Sequence, residues 1–142
     1  MDAQSTSNDM TVEITDDIID TAAFVGELRP DGGAVVTFSG VVRNHNDGRE
    51  VEGIHYDCYR EMAQREGERI VDGIKEQFDV RAVRLVHRVG DLNVGEVSLL
   101  VVVTAAHRGD AFAAIEALVE LVKERMPIWK KERYADKESK WL

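Results

Sequence analysis

Val97-Ser-Leu-Leu-Val-Val-Val-Thr104, with the run from His107-Arg-Gly-Asp110 to Lys123-Glu-Arg-Met-Pro-Ile-Trp-Lys130, decides how this chain is read. Residues 97–104 are β-branched or leucine almost throughout, which predicts a fully apolar strand. From Asp110 to Arg125, Phe112, Ile115, Leu118, Val119 and Val122 recur at helical spacing and give a helix one apolar side. Pro127 ends that helix near Met126, because proline disfavours helical backbone in the residue before it. Lys130 then falls on an extended segment that folds back.

Upstream, Thr15-Asp16-Asp17 before Ile18, Ile19, Ala22, Ala23 and Val25 predicts a capped helix ending near Leu28. Pro30 to Gly33 is a turn. Residues 34–42 are β-rich and apolar on both faces, so they predict a central strand. A polar loop, 43–49, carries the turn signal Asp47-Gly48, and a strand follows from near Val51 through Ile54, Tyr56 and Cys58. Residues 61–78 read as a helix weakened by Gly67 and Gly73, Val80–Val89 as a strand, and Gly90–Gly95 as a connection. The order α-β-β-α-β-β-α before a short basic tail predicts a single α+β domain with a largely antiparallel sheet, over residues 12–142. Residues 1–11 are polar and predict a disordered tail.

The charge is unevenly placed. The net charge is −9, yet five of the six lysines lie between Lys123 and Lys140. Residues 123–140 hold seven Lys and Arg against four Asp and Glu, while residues 1–122 hold eleven against twenty-three. A solvated tail is the plain reading of such a segment, but Pro127-Ile128-Trp129 argues for a folded one, since an indole seeks burial. The acidic balance disfavours nucleic-acid binding. One cysteine, Cys58, excludes an internal disulfide and suits a reducing cytoplasm. No apolar run is long enough for a membrane span, and no signal-peptide pattern opens the chain. Neither a metal-ligand spacing nor a cofactor-binding glycine pattern is present, so no metal and no cofactor is expected.

Three polar clusters sit at element ends: Arg43-Asn44-His45-Asn46, His107-Arg108 before a helix, and Lys123 with Lys130. Arginine beside a helix N-terminus suits an anion. Converging ammonium groups repel, which favours a neutral amine that serves as base or nucleophile. Plain readings stand beside these. His107 serves a helix start, Arg43 is a surface arginine, Trp129 anchors packing, and His87-Arg88 is structural within a strand. His55 and Cys58 pack or face solvent, and Phe38 is core or lines the mouth of the site.

Val36–Asn46, His87–Leu92, Thr104–Arg108 and Lys123–Glu132, in this order and spacing, closely resemble the large, catalytic subunit of molybdopterin synthase, the MoaE family. The resemblance implies an α/β-hammerhead type of α+β fold and a homodimer. It further implies a heterotetramer with a small ubiquitin-like sulfur-carrier subunit whose C-terminal Gly-Gly is a thiocarboxylate. The implied substrate is cyclic pyranopterin monophosphate, which gains two dithiolene sulfurs to become molybdopterin. By the same resemblance Lys123 is the leading catalytic residue and Lys130 supports it. Arg43, His107 and Arg108 line the pterin and phosphate pocket, and Phe38 is an apolar pocket residue near the carrier tail. Relatives carry an arginine past the tryptophan that matches Trp141, reaching the neighbouring subunit; here Lys137, Lys140 or no residue takes that place. The rival expectation is a non-catalytic module that binds an anion or nucleotide, or docks a ubiquitin-like protein.

Overall fold

A computed structural model describes residues 9–26, 28–136 and 139–142. Strand β7 (Val97–Ala105) is the inner element that the apolar run predicts, with every residue from Ser98 to Ala105 buried. It pairs antiparallel with β5 (Val80–Arg88) on one edge and with β2 (Ala34–Val41) on the other. Strand β1 (Met10–Thr15) joins β5 in parallel, Met10 opposite Val83 and Thr15 opposite Arg88, so the sheet order is β1-β5-β7-β2.

Two helices, α2 (Arg60–Gln77) and α3 (Arg108–Arg125), cover one face of this sheet. Ile70, Ile74 and Leu118 meet Leu85, Val101 and Val103 there, all at 0–1% exposure. Burying such side chains contributes about 1.5–3 kcal/mol each. Gly67 permits the close approach: a Cβ there would meet Val12 Cγ1 at 2.8 Å. On the other face, Ile19 packs with Val86, Leu100 and Val102, joined by Phe24 of the short helix α1 (Thr21–Val25).

A second sheet is built around β4 (Arg49–Cys58). Strands β3 (His45–Asn46) and β6 (Gly90–Asn93) pair with β4, as does β8 (Ile128–Tyr134), and β9 (Ser139–Trp141) pairs with β8. Asp47 and Gly48 both take positive φ, 50° and 76°, which closes the tight β3–β4 hairpin. The Met126 N–H still donates to Val122 O at 3.1 Å, and from Ile128 the chain is strand. The basic tail is therefore a folded hairpin edge. Together these elements form one α+β domain with largely antiparallel sheets, as expected.

Four local expectations are corrected. Residues 15–28 are not one helix: Thr11, Val12, Ile14 and Thr15 are strand formers that pair with β5, and helix is confined to Thr21–Val25, capped by Asp20 accepting from the Ala22 N–H. Thr15 instead accepts from the Asp17 N–H at 3.0 Å, in a turn. Strand β2 is an edge strand, its residues alternating with Val35, Thr37, Ser39 and Val41 exposed. Residues 90–93 are a strand because β4 offers them an edge. Phe112 is 59% exposed, and Ala111 and Ala114 take its expected place in the α3 core face. The expected tail of residues 1–11 lies outside the described residues through residue 8, and Met10 and Thr11 begin β1.

The two α2 glycines separate in a stability test. Nothing lies within 4 Å of a Cβ built on exposed Gly73, so Gly73→Ala gains about 0.5–1 kcal/mol in chemical denaturation. Gly67→Ala, which must push Val12 aside, lowers the unfolding midpoint instead.

Candidate active site

A cavity of about 560 Å³ opens where the two sheets and the end of α3 meet. Phe38 and Gly40 of β2, Arg43 beyond it, Tyr56 of β4 and His87 of β5 line it. So do Lys123 and Met126 at the end of α3, with Ile128, Trp129 and Lys130 of β8. The structure thus brings Lys123, Lys130, Arg43 and Phe38 together, as the sequence leads one to expect.

Each cation is placed by the elements that carry it. Val122 and Met126, 4% and 6% exposed, seat the last turn of α3 and leave Lys123 at the cavity wall. Pro127 then reverses the chain. Register puts Lys130 directly opposite Tyr56, so both side chains leave the same face of the sheet. The Leu142 N–H donates to Lys130 O at 2.9 Å and ties that strand on its outer side. The β2–β7 register shifts between Gly40 and Val41, leaving Ser98 of β7 as the extra residue at the cavity wall, and Arg43 follows on β2's side. Buried Val42 anchors this turn, its N–H donating to Glu96 O at 3.0 Å. The loop is also held from β8: Asn46 Nδ2 donates to Glu132 Oε1 at 2.7 Å, and Tyr134 O–H donates to the same oxygen at 3.0 Å. Glu132 is 5% exposed, so the strand that carries Lys130 also clamps the loop that carries Arg43.

The electrostatics are one-sided. No Asp or Glu side chain lines the cavity among the described residues, and Arg43, Lys123 and Lys130 have no ion-pair partner among them. Three positive side chains with no acidic side chain beside them in the lining favour an anion. The apolar wall of Phe38, Leu99 and Ile128 lowers the local dielectric and strengthens the attraction. Burial holds the Tyr56 phenol above its ordinary range, so it stays protonated beside the Ser98 hydroxyl, which donates to Gly40 O at 3.2 Å. Among the described residues no cluster of three His, Cys, Asp or Glu has the arrangement of a metal site, and no helix is long and apolar enough to cross a membrane.

Comparison with known proteins agrees with this geometry. The family model described as MoaE protein matches residues 14–125. The chain belongs to the MoaE family. A Thermoplasma volcanium relative named molybdopterin synthase catalytic subunit is 36% identical over 131 residues, covering 92% of this chain and 96% of that protein. A solved Staphylococcus aureus molybdopterin synthase chain superposes with a TM-score of 0.85 at 36% identity, over 92% of this chain and 95% of the other. A Burkholderia ambifaria MoaE protein gives a TM-score of 0.78 at 33% identity, over 94% and 88% of the two chains.

Two expected site residues of this MoaE chain lie apart. His107 and Arg108 line a separate, shallower hollow with Gly109 and Phe112 at the start of α3, so within one chain they do not meet the lysines. The His107 side chain makes no capping hydrogen bond. Of the residues considered for the neighbouring subunit, Lys140 is exposed on β9, and Lys137 lies outside the described residues. Sequence reasoning passed over Tyr56 and treated His87 as purely structural. The alternation of β4 marks Tyr56 as inward-facing with Ile54, but nothing in the sequence shows that β4 and β5 converge on one cavity.

His87 is 8% exposed, and burial lowers the affinity of its ring for a proton below the ordinary value of 6.5. The unfolded chain therefore takes up a proton first as pH falls. Stability is full above about pH 6.5 and falls as the pH drops from there toward the lowered folded value. Thermal unfolding at pH 7.5, 6.5 and 5.5 checks this: the midpoint is flat between the first two and lower at the third, and His87→Asn removes part of the drop.

Proposed function

We propose that this chain is the sulfur-transferring, catalytic subunit of a molybdopterin synthase, acting in molybdenum cofactor biosynthesis. Its substrate is cyclic pyranopterin monophosphate. Each of the two dithiolene sulfurs of the product comes from the C-terminal thiocarboxylate of a small ubiquitin-like carrier subunit. The observation that carries this reading is the set of three uncompensated cations around one cavity in an acidic chain. Both reactants are anionic at the end that enters, one through its phosphate and the other through its thiocarboxylate.

The roles follow from position. The cavity has an apolar side at Phe38 and Leu99, suited to a slim Gly-Gly tail that carries no side chains. The guanidinium of Arg43 offers a planar fork to phosphate. Lys123 serves proton transfer or steadies the covalent adduct between carrier and substrate, and Lys130 stabilises charge on the departing group. In the first half-reaction the thiocarboxylate sulfur bonds to a pterin side-chain carbon as a carbon–oxygen bond at that carbon breaks, the oxygen leaving as water or staying on the phosphate as its ring opens. In the second, water cleaves the acyl–sulfur bond, leaving sulfur on the substrate and returning the carrier as a carboxylate. His107 and Arg108 enter this scheme through a homodimer, in which a second copy presents them to the cavity as further phosphate ligands. The full assembly is then a heterotetramer of two such chains and two carriers.

Reconstitution with purified thiocarboxylated carrier and cyclic substrate tests the reading. The wild-type chain forms the dithiolene product. Lys123→Ala abolishes product formation while the carrier Kd stays within about twofold, a change of ~0.4 kcal/mol. No product from the wild-type chain would reduce it to a binding module. Arg43→Ala raises the substrate KM about tenfold, equivalent to ~1.4 kcal/mol, with a smaller effect on kcat.

A further inference from the structure

His87 and Arg88 are neighbours on β5 with different tasks. Arg88 Nη1 is held by Glu96 Oε1 at 3.0 Å and serves the fold. His87 lines the cavity that holds Lys123 and Lys130, although only 8% of its surface is exposed. Its Nδ1 lies 2.8 Å from Arg88 O. A carbonyl oxygen only accepts, so Nδ1 carries the proton, and the neutral ring keeps its lone pair on Nε2. That Nε2 has no hydrogen-bond partner among the described residues. No fully buried side-chain nitrogen or oxygen among them lacks a partner. Both facts hold only if Nε2 is reached by solvent, and the open space that His87 lines is the cavity. Tyr56 meets the ring edge-on, with centroids 5.2 Å apart and planes at 73°, and fixes its tilt.

We infer that His87 is a catalytic residue of the sulfur transfer, with Nε2 acting as the general base toward the water that cleaves the carrier–substrate adduct. This rests on the function proposed above. The water O–H bond breaks as its oxygen bonds to the terminal carbonyl carbon of the carrier. The carbon–sulfur bond then breaks, and its electron pair remains on sulfur, which stays on the substrate as a thiolate. The water proton passes to Nε2, and the resulting imidazolium returns it to solvent through the cavity mouth. The second proton leaves the new carboxylic acid for solvent, and no centre is oxidised or reduced.

The surroundings suit that step. The charged groups facing the ring across the cavity are Arg43 after β2, Lys123 of α3 and Lys130 of β8; Tyr56 of β4 and Ser98 of β7 are uncharged. All three charges are positive; burial of the ring opposes its protonation, outweighing the hydrogen bond to Arg88 O that favours it. The imidazole is therefore empty-handed at neutral pH, whereas an ammonium has no lone pair to offer. Once an anionic substrate offsets the cations, the ring gains basicity at the moment a base is needed.

His87→Asn keeps a side-chain N–H near the Nδ1 position and removes the Nε2 acceptor. In single turnover with a preformed carrier–substrate adduct, this variant releases carrier about 100-fold more slowly, while adduct formation and carrier Kd change less than about threefold. The wild-type release rate falls on the acid side of neutrality, and the variant loses that limb. Free imidazole in the assay partly restores the rate of His87→Ala. Release at the wild-type rate by His87→Asn overturns the inference. A second measurement does not depend on any variant folding: ¹⁵N shifts of the wild-type ring report the Nδ1–H tautomer, and an Nε2–H ring overturns the inference equally. Absence of any adduct or product with wild-type protein would instead count against the proposed function, a distinct outcome.

Discussion

Everything at the site depends on Pro127. A proline cannot continue a helix, and the residue before it is driven to extended backbone. Met126 is that residue, at φ −72° and ψ 128°, and α3 ends on it. Seven residues along one helix would place Lys123 and Lys130 two turns apart on a straight rod. The break instead turns the chain back along β4, where pairing of Cys58 with Ile128 and Tyr56 with Lys130 sets the register. A slip of one residue would send Lys130 to the opposite face, where Lys131 now lies opposite His55. The placement of Lys130 in the cavity is thus fixed by backbone pairing in which its side chain takes no part.

The second organising fact is where the acid is kept. Elsewhere most arginines are matched, among them Arg29 with Asp9 and Asp31, Arg60 with Asp16, Arg88 with Glu96, and Arg125 with Glu66. Glu96 illustrates the cost of such matching. The Asn93 N–H first, and then Arg88, hold its carboxyl below the usual carboxylate range, so it is committed to the fold. At the cavity that matching stops, and the positive groups are left for a ligand. Because the remainder of the chain is strongly negative, the cavity is a local minimum for an anion within a field that repels one. Selective entry then depends on fit within the pocket more than on long-range attraction.

Much of this was legible in the sequence, for identifiable reasons. Apolar run, helical period and proline together mark β7, α3 and the turn into β8, because each signal is local. Strand β1 was misread because Thr15, Asp16 and Asp17 resemble helix caps, while its true partner β5 lies some seventy residues away. The edge position of β2 was hidden by its composition: Val35 and Val41 are exposed although valine suggests burial. At the site, Lys123 and Lys130 could be named because lysine is scarce and clustered in this chain, and Arg43 because it follows a strand within a motif that resembles the family. His87 could not, since a histidine inside an apolar strand looks the same whether its free nitrogen meets a side chain or an open cavity. The separation of His107 and Arg108 from the lysines was equally invisible, because motifs give spacing along the chain but not distance in space.

A cavity that binds by uncompensated charge needs a frame that does not collapse on itself. Two polar clamps supply it from opposite sides of β4. On one side Glu132 binds Asn46 and Tyr134, joining β8 to the Arg43 loop. On the other, Arg88 reaches Glu96 and the Asp91 carbonyl, joining β5 to β6 and to the turn that precedes β7. The central groups of the clamps, Glu132 and Arg88, are buried and partnered, so neither competes for the ligand, and each clamp fixes a strand that presents one cavity residue: Lys130 from β8 and His87 from β5. Repulsion among the three cations, softened by solvent at the exposed Arg43 and Lys123, acts to splay the walls. The strands bear that load through backbone pairing and the clamps, which leaves the cations preorganised for an anion that arrives from outside.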